Sequence, residues 1–428
     1  MNKAYLSLER HFARLSSLND AIGILCWDKE VIMPSGAAER RAENLAMLEG
    51  LRHEILTAPV VAELLEQAEP GDDVWRRANL EEMRRLHAHA TALPGELVEA
   101  STQATARCEM VWRTARENGD FAAILPTLSE VLRLTREVAF ATGEKLGLSP
   151  YDALLDTTHP FCGGATHDVR LTTRYDENDF IPAMMGVLHE TGHALYDMGL
   201  PPAWLSQPVG QAGGMTLHES QSLLMEMQVC RSNAFAGWLA PKLQAAFDVP
   251  TTTAGWDAQN IHRLLTHVQP GFIRVDADEV TYPAHILVRY ELEKALISGD
   301  LPLADLPSAF NERIHALLGL HVPDDGRGCL QDIHWPEGLF GYFPCYTLGA
   351  LTAAQLREAA CKQVPQIMPA IAKGDFTPLL SWLRENVHSR ARSASMPQIV
   401  QDATGRKLDA SAYLAHIQRR YVERAEDA

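Results

Sequence analysis

Apolar side chains recur three and four positions apart from the amino terminus to about position 143, in segments rich in Ala, Leu, Glu and Arg. This spacing gathers the apolar groups on one face when the chain is α-helical. One helix is predicted from Ser35 to Ile55 and a second from Asp72 to about Leu93. A third is predicted from Gly95 to about Asn118, because Gly119 is suited to end a helix. We therefore expect antiparallel helices with a charged outer face.

After position 150 the pattern becomes mixed. Alternation of apolar and polar residues predicts short strands at Thr166–Tyr175 and Phe272–Val275. Helices are predicted from about Asp179 to Met198 and from Thr216 to about Leu239. Pro283 lies inside a later helical pattern, where it is expected to produce a kink. Amphipathic helices return from about position 350.

Charge and composition exclude several classes of protein. Asp and Glu number 55 against 38 Lys and Arg, a formal net charge of −17 that repels phosphate backbones, so we expect no nucleic-acid partner. No run approaches the roughly 18–20 apolar residues of a membrane-spanning helix, so we expect no membrane partner. The seven cysteines are widely spaced and form no CxxC pair, and the charged start has no apolar signal-peptide core. These features favour a cytoplasmic location.

The segment His189-Glu190-Thr191-Gly192-His193 carries the clearest chemical signal. On a helix, positions i and i+4 differ by about 40° in direction, so the two histidines project from one face. Both imidazoles then reach one Zn²⁺ at roughly 2.0–2.1 Å. Glu190 is placed to take a proton from a metal-bound water. The alternative is an exposed helix with two histidines one turn apart by chance. The apolar flanks argue against it, because buried histidines need partners.

A third metal ligand is expected from a neighbouring helix, with a fourth position open for water. Glu219, within Leu217–Ser222, is the favoured candidate, because a Gly-rich loop lets the chain turn back after His193. One alternative remains open. Thr216 and Glu219 also fit a T-x-x-E capping box, in which case Glu219 only caps the helix and Glu226, two turns further on, is the ligand.

Several separate motifs, spread over nearly the whole chain, resemble the carboxypeptidase Taq family of metallocarboxypeptidases. They are LCWDKEVIMP at Leu25–Pro34, HPF at His159–Phe161, DxRxT at Asp168–Thr172, HExxH at His189–His193, HESQ at His218–Gln221, GxxQ at Gly328–Gln331 continued by DIHW, and FGYFPCYTLG at Phe340–Gly349. There is one departure from the family pattern. Tyr151–Asp156 runs almost directly into Thr157–Phe161, where relatives carry an additional helical segment.

The helical pattern and this resemblance together predict a mostly α fold: a single large helical body with a deep active-site cleft and a few short β-strands near the metal. One peptidase catalytic domain is expected over residues 1–428, with an N-terminal helical lobe at 1–145 and a metal-binding and substrate-binding lobe at 146–428. The resemblance implies a homodimer that releases single C-terminal residues from peptides with broad specificity. It implies Zn²⁺ as cofactor, with Co²⁺ able to substitute. By motif position, His189, His193 and Glu219 become the ligands and Glu190 the general base.

The developing oxyanion of peptide hydrolysis needs a hydrogen-bond donor besides the metal. Tyr342, Tyr346 and His218 are the candidates, and for each of them core packing or a structural hydrogen bond is the alternative. We assign His218 and Tyr346 to catalysis and Tyr342 to substrate binding. Gln331 is expected to bind substrate backbone, and His159 to face the cleft.

A carboxypeptidase must grip the free carboxylate of its substrate, and the planar fork of an arginine suits this task. Arg274 is the first choice. The alternative is a structural ion pair of this arginine with Asp276, Asp278 or Glu279. Arg170 is the second choice, although a scaffold role suits it better.

Three rival functions are considered. An oligopeptidase with the same metal site would cleave inside short peptides and would not need a carboxylate clamp. A non-catalytic metal-binding protein would not need a base beside its ligands, which Glu190 provides. An aminopeptidase would need an acidic anchor for the free amine. The residues alone leave open the preferred C-terminal residue, the physiological substrate and the native metal.

Overall fold

The computed structural model describes residues 1–157, 164–165 and 168–424. The amino-terminal part contains helices α1 (Lys3–Val31), α2 (Ala38–Thr57), α3 (Pro59–Gln67), α4 (Val74–Ala92), α5 (Gly95–Asn118), α6 (Phe121–Leu146) and α7 (Pro150–Thr157). The side chains of Asn2, Asp73 and Asp120 each accept a hydrogen bond from the backbone N–H three residues on, which starts α1, α4 and α6. Gly119 ends α5 with a φ of 62°, in the left-handed region that favours glycine. The three predicted amino-terminal helices are confirmed as α2, α4 and α5.

A two-stranded antiparallel hairpin follows, formed by β1 (Gly164–Ala165) and β2 (Asp168–Val169). Gly164 pairs with Val169 and Ala165 pairs with Asp168. β1 packs against α1. Among the described residues, the strand predicted at 166–175 is therefore reduced to 168–169.

Helix α8 (Ile181–Asp197) carries the HExxH segment, as predicted. The Asp179 side chain accepts a hydrogen bond from the backbone N–H of Ile181 at 3.0 Å. Pro182 lies in the first turn, where a helix needs no N–H donor. The helix therefore begins about two turns before His189 and presents both histidines on a regular backbone.

The single helix predicted from Thr216 to about Leu239 is wrong. Helix α9 (Met215–Leu223) continues as a π-helix over Leu224–Val229, and the helical structure then ends. Helix α10 (Asn233–Ala246) starts anew, with the Ser232 hydroxyl accepting a backbone N–H of its first turn. A π turn is wider than an α turn, so the side chains after α9 leave the α-helical register.

The remaining helices are α11 (Ala258–Leu265), α12 (Tyr282–Ser298), α13 (Leu306–Leu318), α14 (Pro344–Gln363), α15 (Ile367–Ile371), α16 (Thr377–Asn386), α17 (Met396–Thr404), α18 (Ser411–Ile417) and a second π-helix at Gln418–Glu423. Short 3-10 helices lie at Ser35–Ala37, Pro202–Trp204, Pro208–Gly210, Ala254–Trp256, Arg274–Asp276, Leu303–Asp305 and His388–Arg390.

Two further predictions about this region are wrong. Phe272–Val275 is not a strand, because Arg274–Asp276 forms a 3-10 helix and the backbone N–H of Arg274 donates to the Gln331 side chain instead of to a partner strand. Pro283 does not kink a helix, because α12 begins at Tyr282 and the proline occupies its first turn.

Two apolar clusters hold the site in place. One surrounds α9 and α14, which pack along each other, and includes Leu217, Leu223 and Leu356. The other joins α5 and α6 to α12 and to the segment before α14, and includes Leu128 and Phe343. The second cluster therefore contains residues from both predicted lobes.

No helix in the described part of the chain combines the length and apolar character required to cross a lipid bilayer. The six cysteines in that part are free thiols: Cys26, Cys108, Cys230, Cys329, Cys345 and Cys361.

Candidate metal centre

Helices α8 and α9 approach each other closely at Gly192. A Cβ atom on this residue would lie 2.3 Å from the carbonyl oxygen of Gln221 and 2.6 Å from the Cα atom of Ser222. No side chain fits in that space, so glycine is required for the crossing. The crossing brings the HExxH residues of α8 against the residues of α9.

His189, His193 and Glu219 meet at this crossing. The Glu219 Oε2 atom lies 3.4 Å from His193 Nε2 and 3.9 Å from His189 Nε2. One ligand atom from each residue falls within 4.8 Å of the others. The Glu219 side chain is 3% exposed, whereas that of His189 is 23% exposed. The cluster is therefore closed beneath Glu219 and open to solvent on the histidine side.

The donor set fits a metal ion. Glu219 Oε1 is buried and has no hydrogen-bond partner, and a buried carboxylate oxygen is costly to leave unpaired. Two imidazole nitrogens with one carboxylate, and an open side, are the ligand set of a catalytic zinc site. The capping-box alternative for Glu219 is wrong, because α9 has Gly214 as its N-cap and no side-chain cap hydrogen bond.

The outer nitrogen of His189 is held by a carboxylate. His189 Nδ1 lies 3.0 Å from Glu226 Oε2, and the other oxygen of Glu226 accepts from Arg231 Nη2 at 2.7 Å. With Nδ1 as the donor, the lone pair of Nε2 faces Glu219 and the metal position. Glu226, the alternative ligand, therefore lies behind His189 rather than in the ligand cluster.

The outer nitrogen of His193 is held by a second imidazole. His193 Nδ1 lies 2.6 Å from His218 Nδ1, and His218 Nε2 lies 3.0 Å from Asp197 Oδ1. A carboxylate can only accept here, so His218 donates from Nε2 and accepts at Nδ1 from His193. This order leaves the lone pair of His193 Nε2 for a metal. Both nitrogens of His218 are engaged in these contacts, so His218 has no free N–H that could donate to an oxyanion. The geometry therefore does not favour its predicted role as oxyanion donor.

The electrostatics of the cluster favour a cation. Burial acts to raise the pKa of Glu219, but the nearby His189, His193 and Arg274 outweigh it and lower the pKa to about 2. Burial acts to lower the pKa of His189, but Glu219 and Glu226 outweigh it and raise the pKa to about 9. The two carboxylates thus make a negative pocket that stabilises a proton or a metal ion at His189.

Glu190 is partly buried beside the candidate ligands. Its charge contributes to the raised pKa of His189, so its carboxylate is within electrostatic range of the cluster. No hydrogen bond or ion pair engages this carboxylate within the described ranges of the chain. It is therefore available to a water molecule or a substrate.

Arg274 is buried, and its Nη2 lies 2.8 Å from Asp332 Oδ1. The Oδ2 atom of the same carboxylate lies 2.5 Å from Arg289 Nη2. The structural ion pair considered for Arg274 thus exists, but its partner is Asp332 rather than the three acids considered from the sequence. Two guanidinium groups share one carboxylate, and the positive charge of Arg274 contributes to the lowered pKa of Glu219.

The amide of Gln331 is bonded to the backbone of its own chain. Its Oε1 accepts from the Arg274 N–H at 2.8 Å, and its Nε2 lies 3.0–3.1 Å from the carbonyl oxygens of Phe272, Arg327 and Gly328. This geometry favours a structural role, in which Gln331 fixes the segment that carries Arg274, over the predicted contact with substrate.

Tyr342 and Tyr346 form an aromatic wall with His334. The two tyrosine ring centroids are 5.5 Å apart, and the Tyr346 hydroxyl lies 2.9 Å from His334 Nε2. The Arg274 guanidinium lies over the Tyr346 ring at 4.6 Å. Burial raises the pKa of both phenols above their ordinary value, so each keeps its proton.

A family model for the Carboxypeptidase Taq (M32) metallopeptidases matches residues 7–158 and 156–421. The chain belongs to this family. Thermostable carboxypeptidase 1 of Thermus thermophilus is 33% identical over 502 aligned positions, which cover 97% of this chain and 97% of the relative. Carboxypeptidase 1 of Bacillus subtilis is 29% identical, with coverage of 95% and 96%.

Solved structures support the same assignment. Metallocarboxypeptidase 1 of Trypanosoma cruzi superposes with a TM-score of 0.92 at 34% identity and covers 98% of this chain and 99% of that chain. A carboxypeptidase of Pyrococcus furiosus superposes with a TM-score of 0.89 at 27% identity, with 99% of each chain covered. The chain is thus a metallocarboxypeptidase, a hydrolase of peptides with a helical body. Membership of a metallopeptidase family implies a divalent metal.

The family match also locates the departure from the family pattern, the short connection after Asp156. Its two matched segments meet at residues 156–158. The alignment with the Thermus thermophilus enzyme spans 502 positions, more than the 428 residues of this carboxypeptidase. The relative therefore carries residues that this chain lacks. His159 lies in this region, outside the described residues, and its contact with substrate stays a prediction.

Sequence reasoning missed several groups at the site of this carboxypeptidase. Asp197 follows His193 by one helical turn on the same face of α8, a spacing that could have identified it. Arg289 and Asp332 gave no comparable signal, because their pairing joins distant segments. Arg170, the second clamp candidate, lies instead in the region of β2, where it pairs with Asp168 and covers the Trp27 ring at 4.5 Å.

A second acidic cluster, Glu30, Glu109 and Glu337, also meets the spacing for a metal. Lys29 Nζ lies 2.6 Å from Glu109 Oε2, and Arg113 Nη2 lies 2.6 Å from Glu109 Oε1. These two cations already compensate most of the negative charge, so this cluster is better explained as an ion-pair network.

Proposed function

We propose that this carboxypeptidase holds Zn²⁺ through His189, His193 and Glu219, with Co²⁺ able to substitute, and releases single C-terminal residues from peptides with broad specificity. One observation carries the proposal. Ligand atoms of His189, His193 and Glu219 converge, and the groups bonded to Nδ1 of each histidine orient its Nε2 lone pair toward the same point. A bound divalent metal would supply Lewis acidity for the scissile carbonyl and for the attacking water.

Glu190 is proposed as general base and then general acid. Its unpaired carboxylate takes the proton of the attacking water and later delivers it to the nitrogen of the leaving amine. A carboxylate already bonded to a neighbour would be slower to accept this proton. The lack of a partner for Glu190 therefore supports the role.

Tyr346 is proposed to stabilise the oxyanion. Burial lowers the pKa of His334 to about 3, so this ring is neutral and carries one N–H. Its Nδ1 is buried without a partner, and an orphaned N–H is less tolerated than an orphaned lone pair. The N–H therefore belongs on Nε2 and donates to the Tyr346 oxygen. This assignment leaves the hydroxyl hydrogen of Tyr346 free for the substrate.

Arg274 is proposed to bind the substrate carboxylate, with Tyr342 contributing to the same wall. In the described part of the chain, the buried pair Arg274 and Arg289 shares one ion-pair partner, Asp332. An incoming carboxylate would give Arg274 a second partner. This charge pairing gives a physical reason for preferring a free C-terminus over a C-terminal amide.

The remaining assignments are also proposals. We propose a single peptidase domain over residues 1–428, supported by the apolar cluster that joins both lobes. We propose a homodimer in the cytoplasm, acting on peptides without nucleic-acid or membrane partners, on the basis of the family resemblance and the net charge of −17.

The test compares a peptide with its C-terminal amide, using wild-type protein and the Glu190→Gln variant, with metal content measured for both. Stepwise loss of residues from the free acid alone, abolished in a variant that keeps its metal, would support the proposal. Internal cuts in both peptides would indicate an oligopeptidase. Stoichiometric metal without cleavage by the wild type would indicate a non-catalytic metal protein.

A further inference from the structure

A fully buried carboxylate, Glu279, lies in the segment that precedes α12. Its Oε1 accepts from Gln228 Nε2 at 2.9 Å and lies 2.7 Å from His416 Nε2. Its Oε2 accepts from Arg420 Nη1 at 3.0 Å and from the Tyr421 hydroxyl at 2.8 Å. Each oxygen therefore has two partners, which satisfies the carboxylate.

Most of these partners come from one carboxy-terminal segment. His416 belongs to α18, and Arg420 and Tyr421 belong to the π-helix that continues it. The Tyr413 hydroxyl donates to the backbone oxygen of Glu279. Burial acts to raise the pKa of Glu279, but Arg420 and His416 outweigh it and lower the pKa to about 2. The segment is thus anchored by a charged, dehydrated cluster.

The same arginine also holds the π-helix that follows α9. Arg420 Nη1 donates to the carbonyl oxygen of Met227 at 2.7 Å, and Nη2 donates to that of Gln228 at 3.3 Å. Carbonyl groups at the end of a helix lack intrahelical partners and need such donors. Glu226, which holds His189 Nδ1, is the residue immediately before Met227.

We propose that Arg420 is a positioning residue for the metal site. By fixing the last turn of the π-helix Leu224–Val229, it holds Glu226 against His189 and so sets the orientation of that imidazole. This inference rests on the proposed ligand set. It assigns a function to the carboxy-terminal segment, which supplies none of the proposed ligands. The segment influences metal affinity through Glu226, the residue that holds the ligand His189.

A matched control is present in the chain. Arg136 donates through Nε at 2.9 Å, and through Nη2, to the carbonyl oxygen of Leu296 near the end of α12. It performs the same kind of helix-end capping in the apolar cluster of α5, α6 and α12. Loss of Arg136 should therefore affect stability without reaching the metal ligands.

The experiment measures Zn²⁺ affinity by chelator competition for wild-type protein and for the Arg420→Met, Arg136→Met and His189→Ala variants. We expect Arg420→Met to weaken Zn²⁺ binding roughly tenfold, in the range found when outer partners of ligands are removed. We expect Arg136→Met to change it by less than about twofold. Equal affinities of the Arg420→Met and Arg136→Met proteins would overturn the inference.

The His189→Ala variant separates this inference from the proposed ligand set. Unchanged Zn²⁺ affinity in that variant would show that the ligand set is wrong. A large loss in His189→Ala without a loss in Arg420→Met would reject only the role of Arg420. If Arg420→Met does not fold, the decision passes to Arg420→Gln, whose neutral amide has two N–H donors for the three acceptors Met227, Gln228 and Glu279. A loss of less than about threefold in that variant would equally reject the role.

Discussion

Gly349 of α14 touches Glu219, the proposed third ligand, and its replacement by alanine should damage the metal site selectively. A Cβ atom there would lie 2.9 Å from the Cγ atom and 3.0 Å from the Cβ atom of Glu219. Carbon atoms pack comfortably at about 3.5–4.0 Å. Relief of the contact therefore requires Glu219 to shift by roughly 0.5 Å or more. Metal–ligand distances tolerate only about ±0.2 Å.

Gly349→Ala should lower the affinity for Zn²⁺ more than it lowers the folding stability. Overpacking one methyl group costs about 1–3 kcal/mol, and replacing a helical glycine by alanine returns about 1 kcal/mol. The net loss of folding stability in Gly349→Ala should therefore be about 0–2 kcal/mol. The affinity for Zn²⁺ should fall by about 10-fold to 100-fold, as for other displacements at metal sites.

The assay combines chelator competition for Zn²⁺ with chemical denaturation of the metal-free protein. Gly186→Ala is the matched control, because it lies on α8 and its Cβ atom would make only an ordinary 3.6 Å contact with Thr173 Oγ1. We expect the control to keep both affinity and stability. Binding of Zn²⁺ by Gly349→Ala as tight as that of the wild type would show that the close contact does not displace Glu219.

Three further predictions concern Glu226, Gly192 and Glu293. Glu226→Gln removes the charge behind His189 and should lower Zn²⁺ affinity about 10-fold to 100-fold in chelator competition; unchanged affinity would show that the charge of Glu226 does not support metal binding. Gly192→Ala places a methyl group 2.3 Å from a backbone oxygen, so we expect folding stability to fall by more than about 3 kcal/mol. An unchanged melting temperature would show that α8 and α9 can move apart without cost. Burial raises the pKa of Glu293 from 4.5 to about 7, so its contribution to stability is present below about pH 4.5 and is lost as the pH rises through 7. It amounts to on the order of 3 kcal/mol. The unfolding free energy of wild type minus that of Glu293→Gln should fall across this window, and a flat difference would refute the shift.

The local parts of the site could be predicted from the sequence because they depend on one helix. The i, i+4 spacing places His189 and His193 on one face whatever surrounds them. Gly119 ends α5 through its own backbone conformation. The sequence favours Glu219 over Glu226 as the third ligand, and the structure brings Glu219 into the cluster with the histidines.

The remaining parts depend on contacts between distant segments. Arg274 pairs with Asp332, 58 positions away in sequence, and no local pattern indicates such a partner. His218 carried a plausible catalytic motif, but its two nitrogens are used by His193 and Asp197. Periodicity could not show where α9 becomes a π-helix, because the apolar residues continue through the change.

The π-helix has a consequence for insertions and deletions in this segment. A π turn accommodates about one more residue than an α turn, and each residue of an α-helix rotates the next side chain by 100°. Deleting one residue between Leu224 and Val229 would restore a regular helix while leaving Glu219 where it is. The side chains beyond the shortened turn would keep their present directions, because an α turn spans the same angle with one residue fewer. Only the side chains inside the turn, Glu226 among them, would point in new directions. A chain shortened by that single residue would keep its core packing and lose the group that holds His189 Nδ1.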